Sequence, residues 1–344
     1  MPRTALLHDW IEKVVGPQFP GHALRVEPAS ADASFRRYFR VTLPDRTTRI
    51  VMDAPPDKED CRPFLHVGEL FRAAGAHVPT VFAQDLALGF LLLSDLGGKT
   101  YLHALVNRAA APRLYRDANR ALVAIQLASR AGCLPDYDRQ LLDRELALFP
   151  DWYLNRHLGV ALDERQQAAL RAVFDLLLAN NLGQPRVYVH RDYHSRNLMV
   201  VGEGDETGFP ENPGLLDFQD AVYGPLTYDL VSLYRDAYID WPEEQELDYV
   251  IRYWEAARQA GLPVSDDFHA FYRDYEWMGA QRQLKVLGIF ARLCHRDGKS
   301  GYLDDMPRVL GYLRRTCQRY GELRPLARLL DTLDERPVEV GLTF

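Results

Sequence analysis

The sequence predicts an α+β fold in which a small, β-rich N-terminal lobe is followed by a larger, mostly helical C-terminal lobe. Up to about Ser94 the segments have strand-like patterning, interrupted by one inserted helix. From Tyr101 onward the apolar residues recur with a helical period, and a single β segment over residues 186–218 interrupts them. A chain of 344 residues is long enough to form two such lobes rather than one small core.

The elements of the N-terminal lobe follow from periodicity and turn residues. A helix is predicted over residues 4–15 and a second one over residues 61–75, where Gly75 stands in a C-cap position. The turn Pro44-Asp45-Arg46 separates two of the strands. The predicted strands are residues 22–27, 35–43, 49–54, 80–84 and 89–93.

The C-terminal lobe begins with helices predicted over residues 101–130, 139–158 and 163–182. The third of these has Asp163 at its start and Gly183 just past its end, as helix capping favours. Residues 202–213, inside the β insert, are rich in Gly, Glu and Pro and predict an exposed hairpin tip without catalytic duty. The chain is then helical to about Asp331, and residues 336–344 form either a loose tail or a docked edge strand.

Composition narrows the class of protein. Hydrophobic residues make up 47% and charged residues 26% of the chain, which is typical of a globular protein. The net charge of −7 provides no basic field for nucleic acid or for an anionic membrane. The four cysteines lack CxxC spacing, which favours reduced thiols over a zinc site or a disulfide framework. With no signal-peptide pattern and no membrane-length apolar run, a soluble cytoplasmic protein is expected.

Two short segments carry the chemistry. In the loop that follows the apolar run Val187-Tyr188-Val189, Asp192 is followed five positions later by Asn197. This is the layout of a kinase catalytic loop, in which the Asp takes the proton of the attacking hydroxyl and the Asn amide oxygen holds Mg²⁺. A second strand, residues 214–218, carries Asp217 near its end, at the place of a kinase's main metal-binding carboxylate.

The spacing of these residues has a physical reason. Phosphoryl transfer needs cations on the β- and γ-phosphates and an aligned nucleophile, and Mg²⁺ takes oxygen ligands, usually one or two from side chains. A loop between two short strands places Asn197 and Asp217 around one metal, and Asp192 then faces the acceptor hydroxyl. The alternative is that Asp192 and Asn197 are turn residues and Asp217 is a helix cap. Both segments in order, at this spacing, favour phosphoryl transfer.

With these elements in place, the chain resembles the aminoglycoside phosphotransferase and choline kinase superfamily over roughly residues 20 to 300. Residues 190–197 read HRDYHSRN and are similar to the family's H-G-D-x-H-x-x-N loop. Residues 216–220, LDFQD, are similar to its metal segment, and residues 224–230, GPLTYDL, to the helix that follows with an Asp. Residues 91–97, LLLSDLG, resemble the hinge at which backbone groups meet adenine.

The resemblance implies a bilobal, protein-kinase-like fold that uses ATP and Mg²⁺. It implies a nucleotide-binding lobe over residues 1–94, a hinge over 95–100 and a C-terminal lobe over 101–344, which includes the catalytic insert and the acceptor-binding helices. It assigns Asp192 as the base, Asn197 and Asp217 as metal ligands, and the backbone at Ser94, Asp95 and Leu96 as the adenine site.

Within that superfamily the chain resembles most closely the anomeric amino-sugar kinases of peptidoglycan recycling. The segments that carry this likeness are residues 33–41, 50–56 and 218–225. The resemblance implies a sugar 1-phosphate as product, formed from N-acetylmuramate or N-acetylglucosamine. The chain's partner is expected to be a small sugar, and a monomer or weak dimer is expected, although the sequence itself is silent on oligomeric state.

Two departures from kinase patterns concern the phosphates. Residues 31–35 contain no Gly where kinases carry a Gly-rich loop, and residues 49–53 contain no Lys where kinases place one on the third strand. A cation is still needed there, and Arg36 or Arg37 is the candidate, with Ser34 in the adjoining loop. Because strand residues alternate in direction, at most one of the two arginines faces the nucleotide. Glu69 is the natural position for the helix Glu of the kinase ion pair, although its lysine is missing.

Further candidates support the loop or the acceptor. His194 is expected to orient the loop, and Asp229 to accept backbone N–H bonds from it. For Asp220 there are two alternatives: it contacts the metal or the sugar, or it is an ordinary solvated acid in a loop. Arg282 and Arg292, on the late helices, are candidates to bind the lactyl carboxylate of muramate bidentately; the alternative, favoured for each taken singly, is a surface residue. Aromatic residues at helical spacing in the same region are expected to be mostly core.

The function expected from these residues is ATP-dependent phosphorylation of the C1 hydroxyl of an N-acetylated amino sugar. An aminoglycoside or other small-molecule phosphotransferase is the rival within the enzyme class. Aminoglycosides are polycations and favour acidic pockets, whereas muramate is an anion and favours Arg, and the late helices carry both signs. A kinase-like nucleotide-binding module without activity is the rival of another class.

Overall fold

The computed structural model describes residues 2–31, 35–202 and 211–334. Ser34, the middle of the predicted hairpin tip and residues 336–344 lie outside them. The chain forms two compact units: unit 1 comprises Met1–Ile125 with Arg196–Asp220, and unit 2 comprises Gln126–Ser195 with Ala221–Phe344. The α+β fold class is confirmed, with a five-stranded antiparallel sheet followed by mostly helical structure. The predicted lobe boundaries stay a prediction.

In chain order, the helices within the described residues are α1 (Arg3–Val15), α2 (Arg62–Ala73), α3 (Tyr101–Ala104), α4 (Ala111–Leu127), α5 (Arg139–Leu148), α6 (Glu164–Gly183), α7 (Tyr228–Tyr234), α8 (Glu243–Ala260), α9 (Phe268–Asp297), α10 (Met306–Arg319) and α11 (Arg324–Asp334). The strands are β1 (Arg25–Ala31), β2 (Arg37–Thr42), β3 (Thr48–Asp53), β4 (Val81–Asp85), β5 (Phe90–Ser94), β6 (Arg186–Val189), β7 (Leu198–Met199), β8 (Gly214–Leu215) and β9 (Val222–Pro225). Among these helices none is long and apolar enough to cross a membrane.

The sheet of unit 1 has the strand order β1-β2-β3-β5-β4. Helix α1 covers it because its apolar residues recur at helical spacing, and Leu7, Trp10 and Ile11 are buried against Val51 and Phe90. The predicted helix over residues 61–75 is α2, which buries its apolar stripe as expected.

The hairpin of β7 and β8 brings Asn197 close to the segment that carries Asp217, within unit 1. Leu198 pairs with Leu215, and the Leu216 amide donates to the Asn197 carbonyl at 3.0 Å. Gly214 is required here, because a Cβ would lie 2.9 Å from Leu96 Cδ1. Of the predicted exposed tip, Gly202 and Glu211 are exposed as expected, whereas Asn212 departs from the prediction: it is 3% exposed and donates to Tyr101 and Asp117.

Unit 2 is organised around α9, a helix of 30 residues that is buried along most of its length. Gly288 lets α9 approach α5 closely, since a Cβ there would lie 2.4 Å from the backbone of Leu148. The helix predicted over residues 139–158 consists of α5 continued by a π-helix, Phe149–His157. The helix predicted over 163–182 is α6, which Asp163 begins with a capping box.

Two elements differ from prediction. The helix predicted over residues 101–130 is broken into α3, a 3₁₀ turn at Arg108–Ala110 and α4, because the Asn107 side chain accepts from the Ala109 amide and starts a new turn. Strand β9 is an additional strand that pairs with β6. Its Gly224-Pro225 end has turn-like composition, but Gly224 is needed because a Cβ would lie 2.5 Å from Tyr137 Cβ.

Candidate active site

In unit 2 the loop that carries Asp192 is held at both ends by buried carboxylates. Asp229, on α7, accepts hydrogen bonds from the backbone amides of His190 at 2.6 Å and Arg191 at 3.0 Å. Asp236, just after α7, accepts from the Ser195 amide at 2.9 Å. Both carboxylates are at most 1% exposed. The loop conformation is therefore fixed by acceptors from one neighbouring segment of the chain.

Burial raises the pKa of the Asp229 carboxyl to about 7, although the two backbone N–H bonds oppose the shift. His194 contributes to the same loop: its amide donates to the Asp192 carbonyl at 3.0 Å, and its ring meets Tyr238 edge to face, with 5.4 Å between centroids. These contacts orient His194 within the loop.

Arg191 adopts an unusual backbone conformation one residue before Asp192. Its φ is 75°, in the left-handed region that disfavours residues with a Cβ. Its Nη2 donates to Glu145 Oε1 at 2.5 Å, and its guanidinium lies 5.5 Å from the centre of the Tyr137 ring. Lys285 Nζ reaches the same Glu145 oxygen at 3.0 Å. A buried acid on α5 thus joins the loop to α9.

Asp192 lies among cationic groups. Burial raises the pKa of its carboxyl, but Lys285, His194 and Arg282 outweigh this and hold it below the ordinary value. Lys285 shows the reciprocal effect: burial lowers its pKa, and Glu145 and Tyr228 raise it above the ordinary value. Asp192 is therefore a carboxylate, able to accept a proton, at neutral pH.

In unit 1, Asn197 and Asp217 are neighbours. The register of β7 and β8 puts them side by side, with Asn197 Nδ2 3.5 Å from Asp217 Oδ2. Asp217 has φ 62°, a strained conformation of the kind found at functional sites. Phe218 anchors the segment, because it is fully buried and stacks on Phe64 of α2 with 4.7 Å between centroids. Gln219 Nε2 also donates to Asp217, at 2.7 Å, whereas Asp220 is exposed.

Arg36 and Arg37 have different environments. The Arg36 side chain is 11% exposed, and its guanidinium lies 3.1 Å from Glu59 and 3.8 Å from Asp217. Burial lowers its pKa, but Tyr38, Glu59 and Asp217 raise it above the ordinary value. The Arg37 side chain is 46% exposed and pairs with the fully buried Asp53 on β3. Of the two, Arg36 is the one beside Asp217.

The partner of this arginine is not the acid that the kinase pattern suggests. Glu69 lies on the exposed face of α2, whereas Glu59, ahead of that helix, receives Arg36. Arg36 directly precedes β2, whereas the kinase lysine stands on the third strand.

The predicted adenine-site residues lie at the end of β5 and just after it. The Ser94 amide donates to the Thr80 carbonyl at 2.8 Å, and Ser94 Oγ accepts from the Thr80 amide at 2.9 Å. Asp95 is held by Arg40, whose Nε donates to it at 2.6 Å. Leu96 is buried. The side chain of Asp95 is thus occupied within unit 1, and the adenine site predicted at these residues stays a prediction.

The residues fit Mg²⁺. An amide can turn its oxygen to a neighbour, so Asn197 Oδ1 and a carboxylate oxygen of Asp217 are able to face one cation. Mg²⁺ needs only one or two protein ligands when phosphates and waters provide the rest. Within residues 2–31, 35–202 and 211–334, no cluster of three or more His, Cys, Asp or Glu side chains offers a more complete metal cage. Carboxylate and amide oxygens also favour Mg²⁺ over softer metals.

The sequence matches the family described as phosphotransferase enzyme family over residues 25–268. The chain belongs to this phosphotransferase family. A relative from Neisseria meningitidis serogroup B, named N-acetylmuramate/N-acetylglucosamine kinase, is 48% identical over 348 aligned positions that cover 100% of both chains. A relative of the same name from Pseudomonas aeruginosa is 52% identical over 90% of this chain and 88% of its own.

Solved structures agree on the fold. Plasmodium vivax ethanolamine kinase superposes with a TM-score of 0.65 at 10% identity, covering 95% of this chain and 91% of that one. A putative aminoglycoside phosphotransferase from Ralstonia eutropha superposes with a TM-score of 0.60 at 16% identity, covering 90% and 95%. At such identities the likeness establishes the shared phosphotransferase fold.

Several residues around the phosphotransferase motifs were not found by sequence reasoning. Three acids accept hydrogen bonds: Glu145 from Arg191, Asp236 from the Ser195 amide at the end of the loop, and Glu59 from Arg36. The fourth residue, Lys285, lowers the pKa of Asp192. One signal was present in the sequence: Arg191 stands where the family carries Gly, and an arginine in that loop is expected to pair with an acid nearby. The sequence offered both Asp143 and Glu145 on one helix, and only the packing distinguishes them.

Proposed function

We propose that this chain is an ATP-dependent kinase that phosphorylates the anomeric C1 hydroxyl of N-acetylmuramate and N-acetylglucosamine. The observation that carries the proposal is the pair of relatives of that name, which are 48% and 52% identical over nine tenths or more of this chain. The product is a sugar 1-phosphate that feeds nucleotide-sugar synthesis in cell-wall recycling. Because ATP is a cytoplasmic substrate, we place the reaction in the cytoplasm, with a monomer or weak dimer as the acting species.

Asp192 is the general base in this proposal. It accepts the proton of the C1 hydroxyl as that oxygen attacks the γ-phosphorus of ATP, and ADP leaves. An anomeric hydroxyl is more acidic than an ordinary alcohol, so a carboxylate with a lowered pKa is sufficient. Asp229, Asp236 and His194 position the loop, which keeps the base aligned with the acceptor.

The nucleotide side of the reaction belongs to residues of unit 1. Asn197 and Asp217 would hold Mg²⁺, which neutralises phosphate charge when bound. Arg36, oriented by Glu59, binds the α/β-phosphates in place of the kinase lysine. The backbone of Ser94, Asp95 and Leu96 binds adenine, so residues 1–94 act as the nucleotide lobe and residues 95–100 as the hinge. Ser34 contributes from the adjoining loop, and Asp220 is a second-choice metal ligand.

The test is ADP release with Mg²⁺ and ATP across a panel of acceptors. We expect turnover with N-acetylmuramate and N-acetylglucosamine and none with choline or an aminoglycoside. The methyl glycoside of N-acetylglucosamine, in which the anomeric oxygen is blocked, is the matched control and should be inert. Turnover of the aminoglycoside alone would replace the proposal with its rival, and nucleotide binding without Mg²⁺-dependent turnover would indicate an inactive module.

A further inference from the structure

Arg282 is a buried cation whose surroundings do not account for its hydrogen-bonding capacity. It lies on α9 and is 6% exposed. Among the described residues, its Nε atom has no hydrogen-bond partner. Its guanidinium carbon lies 6.0 Å from the centre of the Tyr228 ring. Leaving a buried donor unsatisfied is costly, so such a group in a folded protein requires an explanation.

A second buried arginine of unit 2 shows what a structural role looks like. Arg235, at the end of α7, is 2% exposed. Its Nε donates to Glu246 at 2.6 Å, its Nη2 to Glu276 at 2.9 Å and its Nη1 to Thr316 at 2.8 Å. The donors of Arg235 are thus used on every side of the guanidinium, as expected for a buried charge that holds helices together. Among the described residues, Arg282 has no such set of hydrogen-bond partners.

The charges near Arg282 connect it to the base. Burial lowers the pKa of its guanidinium, but Tyr228, Asp192 and Asp236 raise it above the ordinary value. Asp236 already accepts from the amides of Ser195 and Tyr238. Arg282 is therefore a buried cation whose charge acts on the proposed catalytic carboxylate, and its Nε is a donor without a partner among the described residues.

We propose that Arg282 binds the lactyl carboxylate of N-acetylmuramate and so favours this sugar over N-acetylglucosamine. The inference rests on the proposed function. The lactyl group is attached at C3 of the ring whose C1 hydroxyl reacts, so a carboxylate only two ring carbons from the reacting group suits a buried cation whose charge acts on the base. Arginine suits this role because its planar fork pairs with a carboxylate through two hydrogen bonds.

Arg292 offers the matched comparison. It lies on the same helix, about 15 Å further along the axis at 1.5 Å per residue, and its Nε is also without a partner among the described residues. Burial and Arg296 lower its pKa, and the acid that acts on it is Asp297 rather than Asp192. Arg292 is thus a similar side chain without the link to the base.

The experiment measures kcat and KM for both sugars in Arg282→Gln, Arg282→Lys and Arg292→Gln, each checked for wild-type circular dichroism. In Arg282→Gln the ratio of kcat/KM for N-acetylmuramate to that for N-acetylglucosamine should fall by about ten- to a hundred-fold, the range for a lost charge-assisted hydrogen bond. The fall should lie mainly in KM, because the carboxylate is bound before and during transfer. Arg282→Lys should recover part of the ratio, and Arg292→Gln should leave it unchanged.

Two other outcomes overturn the inference. An equal loss for both sugars in Arg282→Gln would assign Arg282 to the base or the loop, and a selective loss in Arg292→Gln would move the carboxylate site there. If Arg282→Gln does not fold, Arg282→Lys decides, since wild-type discrimination between the two sugars in a variant without the planar fork contradicts bidentate binding. A wild-type enzyme inactive on both sugars would instead defeat the proposed function itself.

Discussion

Arg191 holds a left-handed backbone, with φ 75°, and donates from Nη2 to Glu145 Oε1 at 2.5 Å. A glycine would adopt that backbone conformation without strain, whereas an arginine pays roughly 1–2 kcal/mol. The side chain compensates by pairing with a buried acid that also receives Lys285 at 3.0 Å. Because Lys285 in turn acts on the Asp192 carboxyl, the pair links the loop backbone to the electrostatics of the base.

The first prediction concerns Arg191→Gly. The backbone strain is relieved, but the buried Glu145 loses one of its cations. Breaking a buried ion pair costs roughly 3–5 kcal/mol, and the relieved strain offsets part of this. We therefore expect the free energy of unfolding to fall by roughly 1–3 kcal/mol. Misplacement of the neighbouring Asp192 should lower kcat by roughly 10²-fold. Chemical denaturation and steady-state kinetics measure the two effects.

Arg46→Gly is the matched control, because Arg46 has φ 70° and lies exposed in the turn between β2 and β3. It relieves the same kind of strain without removing a buried pair, and the greater freedom of glycine in the unfolded chain offsets part of that relief, so the free energy of unfolding should rise by no more than about 1 kcal/mol. Its kcat should equal that of the wild type. If Arg191→Gly behaves like Arg46→Gly, the pair with Glu145 has no role in the loop.

The second prediction concerns the pH dependence of activity. Lys285 helps to hold the pKa of Asp192 below its ordinary value against the effect of burial. Lys285→Met removes this cation, so the effect of burial, which raises the pKa of Asp192, is opposed by fewer charges. The pKa of Asp192 should therefore rise, and the acid limb of the kcat/KM profile should move to higher pH. Lys13→Met, on the exposed face of α1, is the control and should leave the profile unchanged. An unmoved acid limb in Lys285→Met would mean that the limb reports a group other than Asp192.

The third prediction distinguishes the two arginines of the second strand region. Arg36→Ala should raise the KM for ATP roughly ten- to a hundred-fold, as expected for a lost charge-assisted hydrogen bond of about 1.5–3 kcal/mol, with little change for sugar. Arg37→Ala should leave the KM for ATP nearly unchanged, because Arg37 pairs with Asp53. The reverse pattern would show that Arg37 is the phosphate ligand, and two silent variants would leave Mg²⁺ and backbone amides as the neutralising groups.

The fourth prediction concerns helix packing. Gly288→Ala places a Cβ 2.4 Å from the backbone of Leu148, so α9 and α5 must separate, and overpacking of this kind typically costs about 1–3 kcal/mol. Gly311→Ala, in α10, meets nothing within 4 Å and should stabilise by about 0.5–1 kcal/mol through helix propensity. Thermal melts of the two variants should therefore shift in opposite directions. A stabilised Gly288→Ala would mean that the two helices yield easily.

The sequence predicted the fold class and the motif elements because their signals are local. The helical spacing of apolar residues identified α1, α2 and α6. The two short strands near Asp192, Asn197 and Asp217 were recognisable from the spacing of these three residues. Strand β9 was missed because Gly224-Pro225 is typical of a turn, and its glycine is explained only by the approach of Tyr137.

The supporting residues were harder to predict because they lie far from the motifs in sequence. Glu145 is 46 positions from Arg191, and Glu59 is 23 positions from Arg36. Nothing local distinguishes these acids from their exposed neighbours. Strand alternation indicated that at most one of Arg36 and Arg37 faces the nucleotide, without saying which. The structure favours Arg36, because its side chain is buried beside Asp217.

The measurement that tests the account most directly is the position of phosphate on the product. N-acetylglucosamine is incubated with the enzyme, Mg²⁺ and ATP, and the product is analysed by phosphorus NMR with proton coupling. We predict that the new phosphorus signal couples to the anomeric proton and that the product no longer reduces alkaline copper, as a 1-phosphate requires. Asp192→Asn should form it 10²–10⁴-fold more slowly, the usual loss for a removed general base. A phosphorus coupled to the methylene protons of C6, or the absence of any sugar phosphate, would contradict the account.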